Sequence, residues 1–328
     1  MRRDPGRVRD GRGHLDSHPG PRCPICDLPE QDHWRSRRPV ARAPRGRRAG
    51  SRLLLTGAHG HPRHGDPARE RHDRHCAGPG LPAAAPCGTQ YLWLGQRRGH
   101  ERLRDNPNVH LLQLDVADDN SVTTAVKIVE DGIGPICALV NNAGFAQYGS
   151  LEEVSLEQWR QQYDTNVMGI ARVVAAVLPG MRERRSGHIL NISSMGGVAL
   201  PTMTAYTSSK FAVEGLSEGL AKEVAGLGIK VTIVEPCGMD TNFLANACQP
   251  ERRLDDYEQA RDAMKAFSAD SRWGDVERGM SAVADLVGVD SPPLRFAVGT
   301  YGLEMVRGKM AELIHEYETW EPVTATTD

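Results

Sequence analysis

Lysine, asparagine and phenylalanine are absent from the first ninety residues of this 328-residue chain. The same segment holds 18 Arg against 9 Asp plus Glu, a net charge of +9, so the rest of the chain carries −11 to reach −2 overall. It also contains 12 of the 21 Pro and little apolar periodicity. Such a composition does not offset the entropy of ordering the backbone. We expect residues 1–90 to be an aberrant Arg/Pro/Gly-rich region without a stable fold.

Long apolar runs are also missing. No stretch approaches the ~18 consecutive apolar residues of a transmembrane helix, and the N-terminal segment has neither a continuous apolar core nor an acid-poor amphipathic presequence. We therefore expect no membrane partner and a cytoplasmic location.

The seven cysteines show no repeating spacing, which is typical of free thiols in a reducing compartment. Cys23 and Cys26 are two residues apart, but a second ligand pair with comparable spacing is missing. Zinc sites usually need four ligands. We predict no metal site.

From Tyr91 onward, short apolar runs alternate with longer amphipathic segments. The runs are typical of buried strands and span 91–94, 109–114, 136–140, 188–192 and 230–234. This order predicts an α/β fold for residues 91–328, a doubly wound parallel sheet with helices on both faces.

Helix signals lie between these runs. Asn120 is a candidate N-cap for a helix over 121–132, and Ser155 with Gln158 matches a capping box. An apolar stripe from Val167 to Met181 has helical spacing. Segments 254–267, 276–287 and 301–317 are also helix-like, and from about residue 242 we expect a helical cover over a substrate cleft.

One tyrosine and one lysine have the spacing of a proton-transfer pair. Tyr206 and Lys210 are four residues apart, so on a helix they share one face. An ammonium group next to a phenol lowers the pKa of the phenol, which normally titrates near ~10. Ser193 and Ser194 end a predicted strand just upstream, and ligands of parallel sheets bind at such strand ends.

Four motifs in order carry a family resemblance. They are Asn141-Asn-Ala-Gly144, Asn166-Val-Met-Gly169, Asn191-Ile-Ser-Ser194 and Tyr206-x-x-x-Lys210, and together they resemble the short-chain dehydrogenase/reductase family. The C-terminal stretch is similar to its hydroxysteroid and retinol dehydrogenase-like branch. The resemblance implies a Rossmann-like fold and hydride transfer between a nicotinamide cofactor and an alcohol or carbonyl carbon of a small, hydrophobic substrate, with a homo-oligomeric assembly.

The resemblance also implies catalytic roles. Tyr206 is the general acid in reduction and the base in oxidation, Lys210 lowers its pKa and binds the nicotinamide ribose, and Asn166 holds a water molecule. A serine hydroxyl stabilises the charge on the substrate oxygen. Ser194 is favoured because it matches the strand-end position, whereas Ser193 has the family's usual thirteen-residue spacing to the tyrosine.

The same resemblance assigns residues to the cofactor. These are Arg97, Asp115, Asn142, Ala143, Gly144, Tyr206, Lys210 and Thr241. An acidic residue after the second strand binds a free ribose 2′-hydroxyl, whereas Arg97 suits a 2′-phosphate. We therefore expect NADP(H) rather than NAD(H); an exposed basic turn is the alternative for this arginine.

The glycine-rich phosphate loop of the family is not recognisable. Leu53-Leu-Leu-Thr-Gly57 resembles its first strand, but His61 and Arg63 stand where the loop has glycines. We expect this first strand–turn–helix unit to be disrupted, through out-of-frame translation or as a divergent arm. An alternative function is a binding scaffold that no longer binds cofactor. Nucleic-acid binding is not expected, because clustered arginine is its only support.

Overall fold

The computed structural model describes two N-terminal strands as backbone, β1 (Arg52–Thr56) and β2 (Gln90–Gly95), and then most of residues 109–328. The gaps after residue 109 are 196–197, 240, 242 and 273. All described residues belong to Arg47–Asp328, one of the two compact units into which the chain divides. The Cys23/Cys26 pair, His61, Arg63 and Arg97 lie outside the described residues.

Seven parallel strands form one sheet in the order β3-β2-β1-β4-β5-β6-β7. The remaining strands are β3 (Val109–Gln113), β4 (Ala138–Asn141), β5 (Gly187–Ile192), β6 (Ile229–Pro236) and β7 (Arg295–Val298). The strand order reverses between β1 and β4, which is where open α/β sheets bind ligands. The predicted parallel sheet is confirmed.

All five predicted strands are present, with ends displaced by up to two residues. β1 lies within the first ninety residues, yet it pairs with β2 on one side and β4 on the other. β7 is the strand that the sequence pattern missed. It has four residues at the sheet edge and a partly exposed surface, so its apolar run is short.

The helices are α1 (Asp119–Gly132), α2 (Leu156–Tyr163), α3 (Gly169–Arg184), α4 (Thr204–Val224), α5 (Glu258–Asp270), α6 (Val276–Leu286) and α7 (Thr300–Thr324). The capping box of α2 is confirmed, since Ser155 Oγ accepts from Gln158 N and Gln158 Oε1 accepts from Ser155 N. For α1, however, the expected cap Asn120 is wrong. Asp118 caps the helix through its carboxylate, 2.7 Å from Ser121 N.

Successive side chains along each strand lie on opposite faces of the sheet and contribute to two apolar layers. Leu139, Ile189 and Val231 pack against α1, α3 and α4, whereas Ala138, Leu190 and Val234 share a cluster with Val283 and Leu286 of α6. The helices therefore cover both faces, as predicted. In the described part of the chain, no helix combines the length and apolar character needed to cross a bilayer.

Candidate active site

A chain of buried amides holds the carboxyl ends of β4 and β5 against α4. Asn141 Nδ2 donates to Asn191 Oδ1 at 2.8 Å, and Asn191 Nδ2 donates to Ser217 Oγ at 2.9 Å. All three side chains are buried, where a satisfied hydrogen bond is strongly favoured over an unmade one. This network fixes the position of α4 relative to the strand ends.

Asn166 lies in a π-helical turn, Asp164–Met168, between α2 and α3. Its buried amide accepts from Phe145 N and donates to Phe145 O, both at 3.1 Å, and also donates to Ser209 Oγ at 3.2 Å. A Cβ on Gly144 would lie 3.1 Å from Asn166 Oδ1. Asn166 therefore joins the loop after β4 to the first turns of α4.

The two serines after β5 have different partners. Ser194 hydrogen-bonds the hydroxyl of Tyr206. Ser193 Oγ instead donates to the backbone oxygen of Lys210 at 3.5 Å and also interacts with Glu214. Ser194, not Ser193, is therefore the serine that interacts with the phenol.

Tyr206 is buried, and its ring contacts Phe243 at a centroid distance of 5.7 Å. Burial raises the pKa of Tyr206 to about 12, and the hydrogen bond with Ser194 offsets part of this effect. The direction is opposite to the one expected from the neighbouring ammonium. The reason is physical: burial disfavours the phenolate, and Lys210 Nζ lies over the ring, 5.7 Å from its centroid.

Lys210 is also buried, and Nζ donates to Ile192 O at the end of β5, at 2.8 Å. Burial lowers the pKa of Lys210 to about 8, although the nearby Glu214 carboxylate works in the opposite direction. An ammonium group has three N–H donors, so Lys210 retains donors for the hydroxyl groups of a ligand.

Two glutamates close to Lys210, the half-buried Glu214 and the buried Glu235, were missed by the sequence analysis. Glu214 lies one turn after Lys210 on α4, and Glu235 lies on β6. Arg295 Nε is 3.3 Å from Glu214 Oε2 and 3.9 Å from Glu235 Oε1. Burial and repulsion by Glu214 raise the pKa of Glu235 to about 7. The four-residue spacing of Glu214 from Lys210 was the one sequence signal that places Glu214 next to the lysine.

The described cofactor candidates lie after β3, β4 and β6. Asp115 is exposed, and its carboxylate accepts from Ala117 N at 2.9 Å. Asn142, Ala143 and Gly144 follow β4 directly, and Thr241 is exposed beyond β6. They occupy one edge of the sheet, as the strand pattern predicts, and this edge suits an elongated ligand such as a dinucleotide.

An apolar cluster surrounds the phenol. Tyr206 shares it with Ala146 and Met203, with Phe243, Leu244 and Ala247 after β6, and with Met264 and Phe267 of α5. Of the three C-terminal helices expected to cover a cleft, α5 contacts this cluster. α6 packs on the other face of the sheet and α7 contacts β7.

Comparisons with known proteins identify the family of the chain. Residues 96–252 match the model of the short chain dehydrogenase family. The chain is 37% identical over 205 residues to the oxidoreductase BOA17 of Botryotinia fuckeliana, covering 61% of this chain and 74% of that protein. It is 42% identical over 132 residues to human retinol dehydrogenase 8, 40% of this chain and 42% of that protein.

Solved structures show the same fold. A short-chain dehydrogenase from Streptomyces avermitilis has a TM-score of 0.67 at 32% identity, over 74% of this chain and 91% of that one. A gluconate 5-dehydrogenase from Burkholderia cenocepacia, in complex with NADP and tartrate, has a TM-score of 0.57 at 26% identity, over 77% and 94%. The chain belongs to the short-chain dehydrogenase family, a family of nicotinamide-dependent oxidoreductases.

Proposed function

We propose that this protein interconverts an alcohol and a carbonyl compound, with Tyr206 as the proton donor and acceptor. The observation that carries this proposal is the convergence of Ser194 and Lys210 on one buried phenol at the carboxyl edge of the sheet. A nicotinamide cofactor, when bound along this edge of the sheet, would supply or accept the hydride. The side chains of the protein bind the substrate oxygen and move the proton.

The protonated phenol of Tyr206 is suited to the role of general acid in reduction. With a pKa of about 12 the phenol is protonated at neutral pH, so it has a proton to donate to the developing alkoxide. The Ser194 hydroxyl donates a hydrogen bond to the same oxygen and stabilises its charge. Asn166 orders the water that connects Lys210 with solvent.

We propose NADP(H) as the preferred cofactor, held along the strand ends by Asp115, by the segment 142–144, and by Tyr206, Lys210 and Thr241. Arg97 binds the 2′-phosphate through charge-assisted hydrogen bonds. A direct test is calorimetric titration with NADPH and with NADH. Tighter binding of NADPH, reduced by Arg97→Gln, supports the assignment, whereas equal affinities contradict it.

The apolar cluster favours a hydrophobic substrate of the steroid or retinoid type. Phe243, Met264 and Phe267 give Tyr206 a largely aromatic and thioether surrounding, and apolar lining with few polar groups is typical of sites for such ligands. Retinol dehydrogenase 8 is one of the relatives. We also propose that the segment from about residue 242 through α5 covers the substrate cleft.

His61 and Arg63 favour a second candidate, a scaffold that no longer binds cofactor. Turnover of a panel of hydrophobic aldehydes and ketones with NADPH separates the two. Tyr206→Phe should abolish turnover while leaving NADPH affinity within about threefold, because the variant removes the acid but only one of the several groups proposed to hold the cofactor. A folded wild-type protein that binds neither cofactor supports the scaffold.

We further propose a cytoplasmic homo-oligomer. The described cysteines Cys137, Cys237 and Cys248 are free thiols, which fits a reducing compartment. Fractionation of cells that express the full chain tests the location.

A further inference from the structure

Helix α7 carries a long apolar stripe. Leu303, Val306, Met310, Leu313, Tyr317 and Trp320 are separated alternately by three and four residues, the a/d spacing of a coiled coil. Tyr317 and Trp320 are 78% and 62% exposed, and Met310 is 44% exposed. A stripe with this spacing on a folded helix normally contacts another helix.

The start of α7 is fixed to the sheet, and its second half projects away. Gly302 is buried, and a Cβ there would lie 2.9 Å from Cys237 Cβ. Arg272 lies over the Tyr301 ring, 5.0 Å from its centroid. Every residue from 314 to 328 is exposed. Val306 and Leu313 are half-buried, whereas Tyr317 and Trp320, the last two members of the stripe, lie on a fully exposed stretch of helix. Large exposed apolar side chains of this kind are typical of an interaction site.

Charge is distributed unevenly along α7. The first half contains Arg307 and Lys309 as well as Glu304, which is paired with Arg272, whereas the second half contains Glu316, Glu318 and Glu321 and no Lys or Arg. Parallel pairing of two such helices places like charges together, and antiparallel pairing places unlike charges together. The acidic half also disfavours an anionic membrane surface, which attracts basic helices.

We propose that α7 pairs with α7 of a second copy of this chain in an antiparallel, two-fold symmetric coiled coil. The stripe then forms repeated layers, with Met310 against Leu313 of the partner subunit, Val306 against Tyr317 of the partner subunit and Leu303 against Trp320 of the partner subunit. Lys309 lies on the flank beside Glu316 of the partner subunit. The pairing is independent of cofactor binding and of catalysis.

The association is measured by sedimentation of the full chain from about 1 to 100 µM, the range suited to a small interface. The Tyr317→Glu/Trp320→Glu variant alters only exposed positions and should weaken the association at least about tenfold. His315→Glu adds one negative charge on the opposite face of the helix and should leave the association unchanged. A wild-type monomer, or a double variant that associates as tightly as wild type, overturns the proposal.

Helix orientation has its own tests. Lys309→Glu should weaken association, and adding Glu316→Lys should restore it, because the symmetric pair is re-formed with reversed signs. A spin label at Thr324→Cys, with the other cysteines replaced, should give a distance of about 37 Å for antiparallel helices, from the 1.5 Å rise per residue. A distance near ~10 Å, as for parallel helices, contradicts the model. Binding of α7 to phosphatidylcholine vesicles, lost in the double variant, instead assigns the stripe to a lipid surface.

Discussion

The raised pKa of Glu235 allows a quantitative test of the charge interactions close to Lys210. The pKa of Glu235 is raised from the ordinary value of 4.5 to about 7, so between these pH values the folded protein keeps a proton that the unfolded chain releases. Stability linked to this group is therefore fully present below pH 4.5 and is lost as the pH rises through about 7. Glu235→Gln keeps the shape and removes the titration.

The size of the effect follows from the shift. At 1.36 kcal/mol per pKa unit the ceiling is about 3 kcal/mol. The pKa of about 7 already includes the attraction of Arg295, but the titration is incomplete at both ends of the range from pH 4.5 to 7.5, so the change over this range is smaller. We expect the unfolding free energy of the variant, relative to wild type, to rise by about 2 kcal/mol between pH 4.5 and 7.5. Glu214 and Glu235 titrate as a coupled pair, so the value belongs to the pair.

Urea unfolding at several pH values measures this difference. The test uses only how the difference in unfolding free energy between variant and wild type changes with pH. A destabilisation by the substitution that does not depend on pH therefore cancels. Glu223→Gln is the matched control, since Glu223 is exposed on the same helix α4, and its difference should stay flat. A difference for Glu235→Gln that changes by less than about 0.5 kcal/mol over the range refutes the reasoning.

Three further predictions concern other positions. Burial lowers the pKa of His188 to about 4, so its contribution to stability is present above pH 6.5 and is lost as the pH falls. In urea unfolding, the difference in unfolding free energy between His188→Gln and wild type should therefore change with pH in the direction opposite to that for Glu235→Gln. Ser194→Ala should lower kcat by roughly 10²–10³-fold if the hydroxyl stabilises the oxyanion. Ser193→Ala should lower kcat far less, because the Ser193 hydroxyl donates to the backbone oxygen of Lys210. Equal losses of kcat for the two variants in steady-state assays argue against the assignment. Gly302→Ala should destabilise the protein by about 1–3 kcal/mol, because the added Cβ overpacks Cys237, while Gly308→Ala, with open space around the added Cβ, should stabilise α7 by up to about 1 kcal/mol in thermal unfolding.

The sheet was predictable because its central strands are buried on both faces. Ile189 and Leu190 are both fully buried, so β5 appears in the sequence as a continuous apolar run rather than an alternating one. β7 has no such run, and its pairing with β6 depends on contacts that are distant in sequence. Asn120 and Asp118 are both good caps, and local sequence does not decide between them.

The residue types of the candidate site could be predicted from the sequence, but the direction of the Tyr206 pKa shift and the neighbouring charged groups could not. The four-residue spacing places Tyr206 and Lys210 on one face of α4, as the structure shows. The direction of the Tyr206 pKa depends on Phe243 and on the depth of burial, which arise from a loop thirty-seven residues later. The Glu214 and Glu235 pair likewise forms through the packing of α4 on β6, which the spacing of either residue does not reveal.

The central position of β1 has a practical consequence for anyone who expresses part of this protein. A fragment that starts at Tyr91 retains every catalytic candidate but lacks β1. The sheet is then interrupted in its middle, because β1 pairs with both β2 and β4. Two strands with unpaired backbone groups then face solvent and invite pairing with other chains. A fragment that begins at residue 96, where the family match starts, lacks β2 as well as β1 and should also yield aggregates. A stable fragment has to begin before Arg52.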